Sequence, residues 1–145
     1  MYEEQYFKAL GKLSEHAISN VPWYNPNANL TKVVEKAFLK QNPKDKLVFH
    51  GLNAGFTFEA LLIAADAFKR AKTTDPKALA DAIRATNIAD NVSPGPGIAF
   101  NAKGQNDKLK NSGIQNRGGK LVTVAPKGAT NAKAEWPMAP YDKRG

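Results

Sequence analysis

The sequence has no cysteine and only two histidines among its 145 residues. Without cysteine the chain has no disulfide, no thiolate metal site and no cysteine nucleophile. The lack of cysteine does not indicate the cellular compartment. His16 and His50 have no second histidine or carboxylate at a spacing typical of a metal site. We therefore expect no metal and no cofactor.

Long apolar runs are also missing. No run approaches the roughly 18 to 20 residues that a membrane-spanning helix needs. The first residues, MYEEQYFKAL, are acidic and amphipathic, whereas an export signal has a basic stretch followed by an apolar one. We expect neither a membrane span nor an export signal within this sequence.

The net charge of +8 raises the question of nucleic-acid binding. Most of the excess follows residue 100, where nine Lys and Arg face three Asp and Glu. These cations stand singly among Gly, Asn, Ala and Pro, without interleaved aromatic residues that could stack on bases. The pattern favours a solvated basic surface, and we expect no nucleic-acid partner.

Catalytic patterns are not evident either. The serines lack the context of a nucleophile elbow, and the carboxylates fall mostly on predicted helix surfaces. The segments Gly95–Gly97 and Gly118–Lys120 lack the strand–loop–helix spacing of phosphate-binding motifs. The sequence names no catalytic residue, and we expect a protein that is not an enzyme.

The most continuously apolar part of the chain is residues 47–71, LVFHGLNAGFTFEALLIAADAFKRA. Leu47–Phe49 is apolar throughout, which predicts a short buried strand. The following turn, His50–Gly55, would then lie at the carboxyl end of a strand, where open α/β sheets bind ligands.

From Ala54 onward, apolar residues recur at helical spacing. The polar stripe of this predicted helix is narrow and contains Glu59, Asp66 and Arg70. Because a helix with so little polar surface is normally covered on more than one side, we expect it to be buried by a sheet and a neighbouring helix.

The part of the chain before this stretch alternates between helix and strand. Residues 2–13 predict a helix, and His16–Val21 a short strand. Pro22–Asn27 can continue neither, so it is a connection. Asn29 is a suitable cap for a second helix over Leu30–Gln41.

After the central helix, the sequence predicts a further helix, a short strand, a hairpin and a tail. Asp75 is a good cap and Pro76 a good first residue for that helix. Gly118–Gly119 is favourable for a two-residue hairpin turn. The predicted ranges are 76–86 for the helix, 98–100 for the short strand, 113–117 and 120–125 for the hairpin, and 126–145 for an extended tail.

These elements predict an α/β fold that is incomplete. A doubly wound domain normally has five or six strands, and fewer are predicted here. Either the chain is a fragment of a larger protein or two copies complete each other's sheet.

Four segments follow one another along the chain: GFTFEALLIAADAFKRA, TTDPKALADAIRAT, GPGIAFNAKGQN and IQNRGGKLVTVAP. They are preceded by EQYFKALGKLSEHAISNVPW and followed by AEWPMAPYDKRG. This order resembles the carboxyl-terminal part of periplasmic substrate-binding proteins of the branched-chain amino acid (Leu/Ile/Val-binding) type. That family serves ATP-binding-cassette importers.

The resemblance implies parts of two three-layer αβα lobes that close on a ligand. Residues 1–22 and 98–125 would belong to the second lobe, residues 29–91 to the first, and residues 126–145 to the tail. In the family, Ser/Thr-containing loops after the early strands of the first lobe usually bind the ligand carboxylate. Those strands have no counterpart in this sequence.

The resemblance also implies candidate ligand-binding residues. Asn53 falls where many members place an aromatic residue that faces the ligand, and His50 and Phe56 flank it. The alternative for all three is that they shape the start of the helix. Trp23, beside the crossover, is expected to pack at the hinge rather than against ligand.

The function implied is that of an extracytoplasmic solute-binding component of an importer. Its partners would be a branched-chain amino acid or related small carboxylate or aromatic solute, and a membrane permease. The full-length protein would be periplasmic, and the fragment alone would self-associate. The alternatives are a ligand-sensing receptor or regulator domain of the same fold, or a fragment of an α/β enzyme.

Overall fold

The structure, a computed structural model, describes residues 2–143, so Met1, Arg144 and Gly145 lie outside the described residues. The helices are α1 (Glu4–Leu10), α2 (Asn29–Gln41), α3 (Gly51–Ala71) and α4 (Pro76–Arg84). The strands are β1 (Ile18–Val21), β2 (Asn87–Ile88), β3 (Ile98–Ala99), β4 (Ser112–Arg117) and β5 (Lys120–Ala125). Short 3₁₀ helices lie at Gly11–Ser14, Leu47–Phe49 and Tyr141–Lys143. The mixed α/β composition expected from the sequence is confirmed.

Three strands form an antiparallel sheet in the order β1–β4–β5, and β2 pairs separately with β3. In the hairpin of β4 and β5, Arg117 pairs with Lys120 across a turn in which Gly118 and Gly119 have φ values of 59° and 70°. Because two consecutive positive φ angles suit glycine, this turn chemistry is readable from sequence. The hairpin prediction is confirmed, with β4 beginning at Ser112.

The predicted helix starts have different outcomes. At α4 the Asp75 carboxylate accepts a hydrogen bond from the backbone three residues later, and Pro76 opens the helix as predicted. At α2 the cap prediction is wrong, because Asn29 is already helical and Ala28 precedes it. Thr31 lies within the first turn of α2 and donates its hydroxyl to the carbonyl oxygen of Asn25 at 2.7 Å.

The strand predicted at Leu47–Phe49 is wrong: these residues form a 3₁₀ helix. The backbone N–H of His50 donates to the carbonyl of Leu47, and α3 begins directly afterwards at Gly51. A strand needs a neighbour for its ladder, and within residues 2–143 no strand pairs with this segment. Periodicity cannot assign so short an apolar run by itself. The segment His50–Gly55 is therefore the start of a helix, not a strand–helix turn.

The buried face of α3 is narrow, comprising Gly51, Gly55, Glu59 and Ala67. Two apolar residues expected to be covered, Leu61 and Phe68, are 65% and 49% exposed. The main neighbours of α3 are α4, α2 and the preceding 3₁₀ helix, not a sheet. The prediction that α3 is covered by a sheet and a helix is therefore wrong for the described residues, and so is the placement of Glu59 on a polar surface stripe.

The hydrophobic core is centred on Trp23, which is 2% exposed and packs with Ile114 of β4 and Leu121 of β5. The rings of Tyr2 and Tyr24 lie 5.5 and 5.4 Å from that of Trp23. Trp23, which lies in the connection between β1 and α2, is therefore a core residue.

The first helix is shorter than the predicted range 2–13. It ends as an α-helix at Leu10 and continues as a 3₁₀ helix to Ser14. Phe7 packs against the Trp23 core, whereas Leu10 and Leu13 are 40% and 36% exposed.

The tail after β5 lies against the sheet. Thr123 of β5 donates its backbone N–H to the Asn131 side chain. Gln115 and the backbone of Glu135 exchange two hydrogen bonds, of 3.0 and 3.1 Å. The Glu135 carboxylate also pairs with Arg117. The expected tail thus has its partner surface within the same chain.

Candidate functional site

The three predicted ligand-binding residues lie at the start of α3, but they do not converge. His50 lies just before the helix, where its Nε2 is 2.9 Å from Asp45 Oδ2 and its ring is 5.5 Å from that of Phe38. These contacts fix the imidazole locally. Phe56 is half-buried and does not line the groove that contains Asn53.

Asn53 is exposed and lies in a groove of about 470 Å³ between α2 and α3. The groove is lined by Val33, Val34, Ala37, Phe38, Asn53, Ala54, Thr57, Phe58 and Leu61. Asn53 and Thr57 are its only polar side chains. The groove is therefore an apolar surface with one amide near its end.

A second cavity, which we call the Tyr24 cleft, separates the hairpin turn from α2 and the segment before α3. It has a volume of about 470 Å³. Its lining residues are Tyr24, Glu35, Leu39, Asp45, Lys46, Leu47, Val48, Phe49, Gly119, Lys120 and Leu121. Four separate segments of the chain thus meet at this cleft.

Tyr24 is held rigidly at the cleft. Its ring stacks on Trp23 and packs on Gly51, where an added Cβ would overlap the ring carbons. Burial, and secondly the charge of Glu35, raises the pKa of Tyr24 from 10.0 to about 12. Like any tyrosine, the phenol is protonated at neutral pH and has a hydrogen to donate.

The charged groups of the cleft are mostly free of partners. Lys46, Lys120 and Glu35 form no ion pair within residues 2–143. Asp45 is already engaged, because its carboxylate accepts from the Lys46 backbone N–H and pairs with His50. Two ammonium groups and one carboxylate are thus available to a solute.

Glu59 is a buried carboxylate that sequence reasoning placed on the surface. It is 6% exposed and accepts hydrogen bonds from Val92 N, Ser93 N and Ser93 Oγ at 2.8, 2.6 and 2.9 Å. Val92 in turn accepts a 2.6 Å hydrogen bond from the backbone of Asn25. The connection after β1 and the connection before β3 are therefore tied together and fixed to α3.

Sequence patterns gave little indication of Tyr24, Lys46, Lys120 or Glu59. The usable signal was indirect: Gly51, Gly55 and Glu59 are spaced four residues apart, so they form one line along the helix. Two glycines on one line of a helix indicate close approach by another segment.

Metal-binding and membrane-spanning features are not found in the described part of the chain. No group of three His, Asp or Glu side chains there could hold a metal ion. No helix within residues 2–143 is long and apolar enough to cross a bilayer.

The chain is similar in sequence to proteins named Leu/Ile/Val-binding protein homolog 8 from Brucella abortus, Brucella suis and Brucella melitensis. Each is 34% identical over 89 residues, which is 61% of this chain and 18% of the relative. No established family profile matches the chain. The matched stretch therefore covers less than a fifth of the length of those relatives.

The structure is similar to the crystal structure of the leucine-binding protein LivK from Thermotoga maritima. The TM-score is 0.61 at 16% identity, over 84% of this chain and 33% of that protein. At this identity the likeness concerns the fold. The chain thus resembles the Leu/Ile/Val-binding proteins in sequence, and its fold is a partial α/β fold of the periplasmic-binding-protein type.

Proposed function

We propose that this chain is the carboxyl-terminal part of an extracytoplasmic solute-binding component of an ATP-binding-cassette importer. The solute would be a branched-chain amino acid or a related small carboxylate or aromatic compound. The observation that carries the proposal is the similarity in sequence to proteins named Leu/Ile/Val-binding protein homolog and in fold to a protein named for binding leucine. A binding protein of this kind works without catalysis, in the periplasm, and delivers its solute to a membrane permease.

The proposal assigns the chain to parts of two lobes. Residues 1–22 and 98–125 belong to one lobe and residues 29–91 to the other, with residues 126–145 as a tail. Two features support this division: β1, β4 and β5 share one sheet, while α3 packs on both α2 and α4. The hydrogen-bonded connections at Asn25 and Val92 then run between the lobes.

Asn53, His50 and Phe56 remain the proposed ligand-facing residues of the first lobe. Asn53 is the best placed of them, because it is exposed and lines the groove between α2 and α3. His50 would act mainly by holding the segment before α3 through Asp45.

The test is thermal unfolding of the full-length gene product with and without candidate solutes. We expect leucine, isoleucine or valine to raise Tm, since a ligand at 100 times its Kd stabilises by about 2.7 kcal/mol. Neutral sugars and nucleosides serve as matched controls and should leave Tm unchanged. If no amino acid or small carboxylate shifts Tm, the proposal is wrong.

A further inference from the structure

We propose that a further cavity, which we call the connection pocket, binds a phosphate-type oxyanion, either free phosphate or sulfate or a small molecule that carries a phosphate group. The pocket has a volume of about 340 Å³ and is lined by Asn25, Pro94, Gly95, Pro96, Lys110, Pro126, Lys127, Gly128 and Ala129. It shares no lining residue with the Tyr24 cleft or with the groove that contains Asn53. An oxyanion in this pocket is independent of the organic solute of the proposed function.

Backbone hydrogen bonds hold the walls of the connection pocket in place. Asn25 N donates to Val92 O at 2.6 Å, so the connection after β1 is fixed to the connection before β3. Lys110 N donates to Pro94 O at 2.9 Å, which fixes the segment before β4 beside that same connection. The side chains of Asn25 and Lys110 therefore start from backbone that is already positioned in the absence of a ligand.

The turn Pro126–Ala129 brings a second lysine to the pocket. The Ala129 N–H donates to the Pro126 carbonyl at 3.0 Å, and Gly128 has a φ of 93°. A positive φ at the third residue is typical of a type II turn, and glycine is favoured there. The backbone N–H groups of Lys127 and Gly128 donate no hydrogen bond to residues 2–143. They are therefore available to an anion beside the Lys127 ammonium group.

The charged side chains of the connection pocket are cations. Lys110 and Lys127 line it, and within the described chain no Asp or Glu is among the lining residues. Neither lysine forms an ion pair within residues 2–143. In the Tyr24 cleft, by contrast, Glu35 and Asp45 balance the two lysines. The connection pocket therefore attracts an anion, whereas the charges of the Tyr24 cleft cancel.

Asn25 supplies a neutral donor beside the two lysines. Its Oδ1 accepts a 2.9 Å hydrogen bond from Asn27 N, which fixes the orientation of the amide. Its Nδ2 has no acceptor within residues 2–143. Two ammonium groups and an amide N–H₂, without a carboxylate, match a ligand whose oxygens only accept hydrogen bonds. Phosphate and sulfate groups are such ligands, and lysine binds them as a point charge.

The experiment is a ³¹P NMR titration of inorganic phosphate with the 145-residue chain. Ionic strength is held constant with sodium chloride, because salt screens exposed charges. We expect saturable broadening of the phosphate signal, reversed by sulfate but not by sodium chloride of equal ionic strength. Glycerol 3-phosphate is titrated in the same way, and the tighter of the two ligands shows whether the oxyanion is free or part of a small ester. If neither signal broadens, the inference is wrong.

Three substitutions locate the bound anion. Lys110→Gln and Lys127→Gln should each weaken binding about three- to fivefold, as for other exposed charge pairs. Asn25→Asp keeps an acceptor for Asn27 N but replaces the amide donor with a negative charge, so it should weaken binding about tenfold or more. Lys103→Gln is the matched control, since it removes one exposed cation outside the pocket, and it should leave the affinity nearly unchanged.

Two outcomes would overturn the assignment to this pocket. If Lys103→Gln weakens phosphate binding as much as Lys110→Gln and Lys127→Gln do, phosphate responds to the net charge of +8 and not to the pocket. Binding that is unaffected by Asn25→Asp would place the anion elsewhere on the chain. The Tm shift of the full-length gene product with amino acids decides the proposed function separately, so either proposal can fail without the other.

Discussion

Gly51 determines whether Tyr24 can occupy its position. A Cβ at Gly51 would overlap the Tyr24 ring, whereas a Cβ at Gly55 would lie 3.7 Å from Tyr24 Cβ, an ordinary contact. Both glycines are helical. The two positions therefore separate the packing requirement from the helix propensity.

We predict opposite signs for the two alanine substitutions. Gly55→Ala should stabilise the chain by up to about 1 kcal/mol, because alanine favours helix more than glycine does. Gly51→Ala should destabilise it by about 1–3 kcal/mol, because overpacking outweighs that gain. Urea unfolding measures both. Equal stabilisation by both substitutions would show that Tyr24 does not pack on Gly51.

The raised pKa of Tyr24 predicts that the stability of the chain depends on pH. Its pKa is 10.0 unfolded and about 12 folded, so the stability it contributes is fully present below pH 10. Between pH 10 and 12 only the unfolded state ionises, and stability should fall by about 1.4 kcal/mol per pH unit. Comparing urea unfolding of the unaltered chain and Tyr24→Phe from pH 8 to 11 isolates this loss. Parallel pH profiles for the two proteins would contradict it.

We predict a large loss of stability when Glu59 is replaced, although the sequence alone places this residue on the surface. Glu59→Ala leaves three buried donors without an acceptor and should cost about 3 kcal/mol or more. Glu59→Gln keeps one acceptor oxygen and should cost about 1 kcal/mol. Asp66→Ala, which breaks a partly exposed pair with Arg70 on the same helix, is the control and should cost less than about 1 kcal/mol. Similar losses for Glu59→Ala and Asp66→Ala would refute the role of Glu59.

At the scale of elements, the predictions that succeeded rest on local chemistry. The hairpin follows from Gly118–Gly119, and the start of α4 follows from Asp75 and Pro76. In each case neighbouring residues decide the backbone. The strand prediction for Leu47–Phe49 was wrong, because whether this segment forms a strand or a helix depends on whether another strand lies beside it. The local sequence does not specify that neighbour.

The candidate site was less predictable than the elements for the same reason. Tyr24, Lys46 and Lys120 come from three distant segments, and their proximity depends on tertiary packing. Glu59 is buried because Val92 and Ser93 reach it from 33 and 34 residues further along the chain. Helical periodicity alone places Glu59 with Asp66 and Arg70, on the polar stripe.

A substitution that releases the tail should affect the tail itself and leave the stability of the fold nearly unchanged. Glu135 holds it through Arg117 and lies 3.3 Å from His16. Glu135→Ala should therefore speed trypsin cleavage after Lys133, while the free energy of unfolding falls by less than about 1 kcal/mol, as for other exposed pairs. Asp142→Ala, an exposed tail carboxylate without an ion pair in the described residues, is the control. Unchanged cleavage in Glu135→Ala would mean that the backbone pairing with Gln115 suffices.

At the scale of the whole molecule, the chain exposes apolar surface on α2 and α3, as expected of an incomplete fold. Val33 of α2 and Leu61 of α3 are 59% and 65% exposed and border the same groove. In the sequence, α3 has the composition of a helix covered on several sides, yet residues 2–143 provide it no sheet. The burial prediction thus failed for a reason that the predicted shortage of strands had already indicated.

This surface predicts that the isolated chain self-associates. Removing large apolar side chains from water contributes about 25 cal/mol per Å², so the exposed faces of α2 and α3 should pair between copies. Light scattering at micromolar concentration should give a mass above 15.7 kDa. The double variant Val33→Ser, Leu61→Ser should lower that mass towards the monomer, while Lys69→Ser, an exposed change elsewhere on α3, should not. A monomer mass for the unaltered chain would show that the exposed groove does not drive association, and an oligomer that survives the double variant would place the contact on another surface, such as the edges of β1 and β5.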